Sequence, residues 1–309
     1  MGLDIIKLML SQQDKGSFHK YLKDRNTLSN DILKTNISVI DDAMKGIWPD
    51  DFVVVAAKSG SGKTELLSSL ACNIALTNKK VLFFPLEAYK GEVHNRIHFT
   101  LYSTLYYEDT KMLDLSYGDF ARHGVSEKLK PYQNQVEEQI EKIESYLSLR
   151  YREKSFNLKD FILLYKKAVA DGYKLVIVDH AQFFNFDEDT QSENRFVKDM
   201  TLEMFDLINT NKVPIILASH IRKISDNKAF PTIDDIYGSS ELAKKATRVL
   251  ILCKDNFISE TNSYGTIFRF EKNREDGTSD YKTVFNINTK KYSVNFQKGK
   301  IVNNKFQPV

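Results

Sequence analysis

The stretch that decides the fold is Val53-Val54-Val55-Ala56-Ala57-Lys58-Ser59-Gly60-Ser61-Gly62-Lys63-Thr64. Its first part belongs to the apolar run from Phe52 to Ala56, which is typical of a strand buried on both faces of a parallel sheet. After a loop of small residues, apolar side chains recur at helical spacing, which predicts that a helix begins near Lys63. The sequence therefore predicts a strand, a glycine-containing loop and a helix in direct succession.

A loop of this kind predicts a phosphate site, because the free N–H groups of the loop and of the helix start can converge on phosphate oxygens. Lys63 would reach the β- and γ-phosphates of a nucleoside triphosphate, and the Thr64 hydroxyl would bind Mg²⁺. A turn of small residues without a ligand is the alternative, since Ala57 stands where the usual pattern has its first glycine. The residues expected to contact the nucleotide are Ala57, Lys58, Ser59, Gly60, Ser61, Gly62, Lys63, Thr64 and Glu65.

Length and composition exclude several classes of protein. A chain of 309 residues suits one large α/β domain with an appendage, or at most two domains, and 42% hydrophobic with 28% charged residues is ordinary for a globular protein. A net charge of +3 does not indicate nucleic-acid binding by itself. The two cysteines, Cys72 and Cys253, are far apart and favour a reducing cytosol, with neither disulfide frameworks nor zinc.

The chain has no signal-peptide pattern, because Asp4 and Lys7 interrupt its first apolar stretch. No apolar run approaches the roughly 20 residues that a membrane helix needs. We therefore expect a soluble protein without a membrane partner. Its expected location is the cytoplasm, which for a phage-encoded protein would be that of the host.

The order of apolar segments predicts an α/β fold with a mostly parallel central sheet flanked by helices. Residues 1–35 are expected to form a short helical segment outside the core, and residues 36–309 the main domain. The region from about 90 to 170 is predicted to be helical, and one part of it could pack on its own domain or form a partner-binding coiled coil. The predicted strands are Val53–Ala56, Val81–Phe84, Leu175–Val178, Ile215–Ala218 and Val249–Leu252, with edge strands at Phe268–Phe270, Thr283–Ile287 and Tyr292–Phe296.

Three of the predicted strands end in polar side chains that suit nucleotide hydrolysis. Asp179 ends an apolar strand, and at the edge that holds the phosphate loop it would bind Mg²⁺ through water. Glu87 ends the strand that comes directly after the phosphate-loop helix and could polarise the water that attacks the γ-phosphate. His220 could sense the γ-phosphate. A capping aspartate, a surface glutamate and a structural histidine are the alternatives.

Two cations lie late in the chain, in the segment Phe270-Glu271-Lys272-Asn273-Arg274. In an extended segment Lys272 and Arg274 point to the same side. A pair of this kind suits a γ-phosphate, as an arginine finger does in phosphoryl transfer. Charged residues on a solvated strand are the alternative.

Taken in order, these segments resemble the RecA-like ATPase domain of the DnaB-like, superfamily 4 replicative DNA helicases. The resemblance covers about residue 36 to the C-terminus, and in motif detail it is nearest to the mitochondrial and phage primase–helicases. His180 replaces a tyrosine that is usual in the family, and Tyr237 stands where bacterial members carry arginine. The matching segments are Ala56–Thr64, Val81–Glu87, Val176–Gln182, Val213–His220, Asp235–Ser239 and Lys272–Gly277.

The resemblance implies a P-loop NTPase that works as a hexameric ring and hydrolyses ATP with Mg²⁺ at subunit interfaces. One subunit would supply Lys63, Thr64, Glu87 and Asp179, and the next would supply Lys272 and Arg274. The loops at 183–198 and 222–240 would track single-stranded DNA inside the ring. A primase and a loading protein are further candidate partners. The expected DNA contacts are Arg195, Lys198, Arg222, Lys223 and Lys228, although each could be an ordinary exposed cation.

Two other functions remain open at this point. A RecA-like recombination or repair ATPase would coat DNA as a filament, because the same interface can build rings or filaments depending on closure. A regulatory ATPase would bind a protein partner and use hydrolysis as a timer. A small-molecule kinase is the least favoured, since neither an acceptor pocket nor a lid is recognisable in the sequence.

Overall fold

A computed structural model of the chain describes residues 17–152, 156–180, 182, 184, 192–222 and 230–309. Its described residues form one ten-stranded sheet with the order β10-β9-β8-β7-β6-β1-β5-β4-β2-β3. The strands are β1 (Phe52–Ala57), β2 (Val81–Pro85), β3 (Leu147–Leu149), β4 (Leu175–Asp179), β5 (Ile215–His220), β6 (Arg248–Ile258), β7 (Ser263–Asn273), β8 (Ser279–Asn286), β9 (Lys291–Val302) and β10 (Lys305–Pro308).

Helices cover both faces of the sheet. In the described part of the chain the α-helices of the main unit are α2 (Ser38–Met44), α3 (Lys63–Leu76), α4 (Glu92–Thr110), α5 (Tyr117–His123), α6 (Gln133–Tyr146), α7 (Leu158–Ala170), α8 (Glu193–Asn211) and α9 (Ser239–Lys245). No helix that the structure describes has both the length and the apolar character needed to cross a membrane.

The sheet has two parts that differ in strand direction. Strands β3, β2, β4, β5, β1 and β6 are all parallel, and β7 to β10 continue from β6 as an antiparallel meander. The five predicted core strands and the three predicted edge strands are therefore confirmed, and so is the α/β class. The parallel part brings the ends of β1, β2, β4 and β5 to one edge.

The central strand β1 is buried on both faces, as its unbroken apolar sequence predicts. Val53 and Val55 belong to one apolar cluster, together with side chains of α3, α4 and α6. Val54 and Ala56 belong to a second cluster on the other face, together with side chains of α7 and α8. Two hydrophobic layers thus hold the strand in place and fix where its last residue emerges.

The predicted helical region contains one strand that the sequence prediction missed. Helix α6 packs on α3 of its own unit through the buried Val136 and Ile143, so the own-domain alternative is confirmed. Leu147, expected to continue this helix, instead begins β3 and pairs with Val81 of β2. A helix that ends beside an open sheet edge can use its next apolar residues to pair that edge.

The chain divides into two compact units, residues 1–32 and residues 33–309. Helix α1 (Ser17–Ser29) belongs to the first unit. The second unit begins with Leu33, which is buried and pairs with Ile47. This division falls three residues before the predicted boundary at residue 36.

Candidate active site

The loop between β1 and α3 forms an open cradle of backbone groups. Gly60 and Gly62 adopt positive φ values of 76° and 90°, a region that residues with a Cβ avoid. Gly62 directly precedes the first residue of α3, so the helix begins at Lys63 as predicted. A Cβ at either glycine would meet no atom within 4 Å, so the glycines are required by backbone conformation and not by crowding.

Lys63, Thr64 and Asp179 meet at the base of this loop. The Thr64 hydroxyl donates a hydrogen bond to Asp179 Oδ2 at 2.7 Å, and Lys63 Nζ lies 3.8 Å from Asp179 Oδ1. Burial lowers the pKa of Lys63 and raises the pKa of Asp179, although the two groups attract each other. The register of β1, β5 and β4 brings the strand-end Asp179 to the start of α3.

Two atoms at this point are buried without a hydrogen-bond partner among the described residues, namely Lys63 Nζ and Asp179 Oδ1. Buried polar groups in native proteins almost always have partners, so an ammonium and a carboxylate left in this state indicate a ligand. A nucleotide phosphate suits the cation, and Mg²⁺ suits the oxygen atoms of Thr64 and Asp179. The residues present therefore fit both groups.

Glu87, His180 and His220 form a second cluster directly beside the first. The Nε2 atoms of His180 and His220 are 2.5 Å apart, and Glu87 Oε2 lies 3.2 Å from His180 Nε2 and 3.9 Å from His220 Nε2. Burial, together with the nearby Lys63 cation, lowers the pKa of His180 to about 2 and also lowers the pKa of His220. Both imidazoles are therefore neutral at physiological pH. The sequence marked His180 as unusual but did not bring it into the site.

A cleft of about 730 Å³ opens above these groups. The loop residues Lys58 to Glu65 line it, as do Glu87 and His220, whereas Ala57 lies below it as the buried end of β1. The far wall comes from the antiparallel strands and includes Lys254, whose Nζ lies 3.4 Å from the centre of the Tyr264 ring. Sequence reasoning missed this wall, because only the long-range pairing of β6 with β7 brings it here.

Glu65, a predicted nucleotide contact, is held by a neighbouring helix. Its Oε2 accepts a hydrogen bond of 2.7 Å from Arg96 of α4, and Arg96 also binds Glu92 at 2.8 Å. The arginine stacks over the Tyr117 ring at 5.3 Å. Glu65 therefore lines the cleft, and its ion pair with Arg96 fixes the first turn of α3 against α4.

Lys272 and Arg274 lie far from this cluster in the same chain. Asn273, between them, pairs with Arg248 at the start of β6, and Arg248 aligns with Val53 at the start of β1. The phosphate loop follows Ala57 at the other end of β1, and Val53 and Ala57 are about 13 Å apart at about 3.3 Å per strand residue. Lys272 Nζ donates hydrogen bonds to the carbonyls of Ala243 and Lys244, at 2.5 and 3.2 Å, and Arg274 is exposed.

A buried ion pair fixes the edge that carries these two cations. Arg248 Nε lies 3.1 Å from Asp51 Oδ2, and both side chains are almost fully buried, at 3% and 5% exposed. The same guanidinium donates to Asn273 Oδ1 at 2.7 Å and to Glu275 Oε2 at 3.2 Å. Residues on either side of Arg274 are thus tied to the base of β1 and β6.

The predicted DNA contacts fall partly within the described residues. Arg195 and Lys198 are exposed in the first turns of α8, and Arg195 lies 4.0 Å from Asp199. Arg222 follows β5, is exposed, and stacks over the Tyr237 ring at 5.7 Å. Lys223 and Lys228 lie outside the described residues.

Known proteins of similar sequence identify the family of this chain. The chain matches the family of the DnaB-like helicase C-terminal domain over residues 33–294. It is 24% identical over 276 residues to a probable plasmid replicative DNA helicase of Chlamydia trachomatis, covering 84% of this chain and 58% of that protein. It is 26% identical over 277 residues to the replicative DNA helicase DnaB of Mycoplasma genitalium, covering 84% and 56%. The chain thus spans less than two thirds of the length of these relatives.

Solved structures show the same fold. One of them, an isolated ATPase domain, superposes with a TM-score of 0.71 at 16% identity, covering 90% of this chain and 99% of that one. A DnaB-like replicative helicase, described together with its interactions with primase, superposes with a TM-score of 0.71 at 15% identity, covering 93% and 70%.

Proposed function

Since this chain belongs to the family of the DnaB-like helicase C-terminal domain, we propose that it is the ATP-hydrolysing motor of a replicative DNA helicase that translocates on single-stranded DNA. One observation carries the proposal. Lys63, Thr64 and Asp179 converge beneath an open cleft, with Glu87 beside them. Phosphoryl transfer to water requires these groups, namely a cation that binds the phosphates, oxygen ligands for a metal ion, and a base.

Within one chain, the residues would divide the work by position. The loop N–H groups and Lys63 bind the phosphates, and Thr64 and Asp179 hold Mg²⁺, which supplies charge neutralisation at the phosphate oxygens. Glu87 is 41% exposed and lines the cleft, so its carboxylate can accept a proton from an attacking water. His220 also lines the cleft and would contact the γ-phosphate.

The remaining cations would act on a neighbouring subunit. Lys272 and Arg274 lie at the opposite edge of the sheet, so they cannot complete the cleft of their own chain. In a head-to-tail assembly that edge can face the next subunit's cleft. We infer a hexameric ring, supported by the family to which the chain belongs. A primase or a loading protein would be a further partner of such a ring.

The DNA would be bound by the exposed cations near the carboxyl ends of the parallel strands. Arg222 lies two residues after the end of β5, and Arg195 and Lys198 lie in the first turns of the helix between β4 and β5. Lys223 and Lys228 belong to the same proposal. Hydrolysis at the end of β4 and β5 would then move the segments that hold the strand.

The test is the ATPase rate of the full chain with and without single-stranded DNA. We expect the DNA to stimulate hydrolysis, and the double variant Arg195→Ala, Lys198→Ala to need a higher DNA concentration at an unchanged DNA-free rate. The double variant Lys130→Ala, Lys142→Ala, which changes two exposed lysines elsewhere, is the matched control. A rate that does not respond to DNA would favour the regulatory ATPase, and filaments in electron microscopy would favour the recombinase.

We further propose that the N-terminal segment, residues 1–35, docks on an adjacent subunit. The described residues of this segment up to residue 32 belong to a separate unit with helix α1, whereas residues 33–35 already belong to the compact main unit that begins at Leu33. Deleting residues 1–32 should therefore lower the oligomer mass in light scattering while the thermal unfolding of the main unit stays unchanged. An unchanged mass would refute the docking role.

A further inference from the structure

The Glu87, His180 and His220 side chains bring three metal-ligating atoms within 4.8 Å of one another. The two Nε2 atoms are 2.5 Å apart, whereas an N–H donor and its acceptor are usually about 2.9 Å apart. The ring centres are 3.9 Å apart, so the nitrogens lie nearer to each other than the rings do. Both nitrogens therefore face a shared space, and Glu87 Oε2 faces it as well.

The three distances define the size of that space. A point equidistant from the three atoms lies about 2.0 Å from each of them, within the range of about 2.0–2.2 Å for zinc bonds to histidine nitrogen and carboxylate oxygen. A tetrahedral ion keeps its ligand atoms about 3.3 Å apart, which the 3.2 Å and 3.9 Å distances bracket. The two nitrogens would have to separate by less than about 1 Å, and Glu87 Oε2 would have to approach His220 Nε2 by about 0.6 Å.

From this geometry we propose that Glu87, His180 and His220 form a binding site for a zinc ion, separate from the Mg²⁺ oxygens of Thr64 and Asp179. Two imidazole nitrogens and one carboxylate oxygen form a donor set that favours Zn²⁺, whereas Mg²⁺ prefers oxygen ligands. His180 is 3% exposed and anchors the site from below. His220 and Glu87 line the cleft, so the ion has an entry path and a fourth position that is open to water or phosphate.

Metal binding requires one particular tautomer of His180. Its Nδ1 accepts a hydrogen bond of 3.3 Å from the Gln182 amide. With a metal ion on Nε2, the proton of the neutral ring would be on Nδ1. Binding would therefore replace this hydrogen bond and the Nε2 contacts with Glu87 and His220 by a metal–nitrogen bond.

The consequence for hydrolysis rests on the proposed function. The ion would bind to Glu87 Oε2, which is the oxygen atom that would accept the proton of the attacking water. Zinc would therefore inhibit hydrolysis while the phosphate loop and the Mg²⁺ ligands remain available to the nucleotide. The cysteines do not compete for the ion, because burial raises the pKa of Cys72 and Cys253 to about 12 and zinc binds the thiolate.

Binding is tested on the full chain after metal removal and without nucleotide. Calorimetric titration with Zn²⁺ should give one equivalent per chain, and Co²⁺ should give visible absorption bands of a site with nitrogen and oxygen ligands. The variants His180→Tyr and His220→Gln should each weaken Zn²⁺ binding by at least about 100-fold, since changes outside the ligand set already cost up to that much. His123→Asn, at an exposed histidine of α5, should bind like the wild type.

The zinc site would be overturned if His180→Tyr and His220→Gln both bound Zn²⁺ as tightly as the wild type. It would also be overturned if the wild type bound no more Zn²⁺ than a chain that carries both substitutions. A second measurement separates this result from the proposed function. Micromolar Zn²⁺ should inhibit the wild-type ATPase in millimolar Mg²⁺. A chelator that binds Zn²⁺ but spares Mg²⁺ should restore the wild-type rate. The ATPase rate of His180→Tyr, whatever its value without zinc, should not change when Zn²⁺ is added. A chain that binds Zn²⁺ but hydrolyses no ATP would refute the ATPase and leave the zinc site standing.

Discussion

The two edges of the parallel sheet, where its strands end and where they begin, differ in how their charged groups are satisfied. At the carboxyl ends of β1, β2, β4 and β5, beside the open cleft, Lys63 Nζ and Asp179 Oδ1 have no hydrogen-bond partner among the described residues. At the opposite edge, Arg274 projects from a frame in which Asp51, Arg248 and Asn273 satisfy one another. The first edge is incomplete without a ligand, and the second is internally complete but exposes a cation.

This difference supports the proposal that one edge receives a ligand and the other donates a cation to a neighbouring subunit. A receiving edge needs groups poised for a ligand, which Lys63 Nζ and Asp179 Oδ1 provide, since neither has a hydrogen-bond partner among the described residues. A donating edge needs a rigid support, which a buried ion pair with additional hydrogen bonds provides. Four substitutions can break or sharpen this division.

The largest effect is expected from Lys63→Ala at the receiving edge. The loop would lose its buried cation, and we expect hydrolysis to be abolished and most nucleotide affinity to be lost. Calorimetric binding of a non-hydrolysable ATP analogue and a phosphate-release assay measure the two effects. Lys142→Ala, at an exposed lysine of α6, is the control, and turnover near the wild-type rate in Lys63→Ala would remove the site assignment.

The next effect is expected from Arg274→Ala at the donating edge. An arginine finger contributes about 10³–10⁵-fold to turnover, so the rate should fall by that order while nucleotide affinity changes little. Arg122→Ala, also at an exposed arginine, is the control. Wild-type hydrolysis should also rise steeply with protein concentration, because the site is complete only after assembly.

Mixing the two inactive variants tests whether Arg274 acts on the neighbouring chain. Some interfaces between Lys63→Ala and Arg274→Ala subunits would contain both intact groups, so part of the activity should return. Single-stranded DNA should increase the return by favouring assembly. A verified monomer that hydrolyses ATP at the assembled rate would contradict the shared site.

Glu87→Gln should have a smaller effect, at the receiving edge alone. Loss of a general base costs about 10²–10⁴-fold in rate, and the amide keeps the shape of the side chain, so the nucleotide should stay bound. Glu138→Gln, at an exposed glutamate of α6, is the control. If binding and turnover were lost together, Glu87 would not be the base.

Arg248→Met should have the smallest effect on the chemistry, because its first effect is on stability. It leaves Asp51 buried without its cation, and removing one partner of a buried pair costs about 3–5 kcal/mol in the free energy of unfolding. Urea denaturation measures the loss. Asp51→Leu should cost less in the Arg248→Met background than in the wild type, and this comparison cancels the loss of the Asp51 hydrogen bonds with Trp48 and Thr247. An equal cost in both backgrounds would show that Arg248 acts mainly through Asn273 and Glu275.

The sequence predicted the receiving edge well because its signals are local. The start of α3 at Lys63 and the strand-end positions of Glu87, Asp179 and His220 follow from apolar runs that end in polar residues. Strand β3 was missed because Leu147 fits the helical spacing of α6 as well as a strand. The choice depended on the free edge of β2, which no local pattern shows.

The far wall of the cleft and the Asp51–Arg248 pair were missed for a different reason. Lys254, Tyr264 and Tyr292 meet the phosphate loop only after the antiparallel strands have paired in register. Asp51 and Arg248 are almost two hundred positions apart in the chain. Contacts of this kind depend on the register of several strands at once, and the register of β6 with β7 shifts at two places, between Val249 and Leu250 and between Lys254 and Phe257.

The opposite placement of Lys63 and Arg274 has a consequence for how activity depends on assembly size. Any open row of head-to-tail subunits has one terminal chain whose cleft receives no finger and another whose finger reaches no cleft. The rate per chain should therefore climb as the row lengthens and reach its ceiling only when the two terminal chains meet. Geometry alone then favours a closed assembly over an open one as the more active form of the same polypeptide.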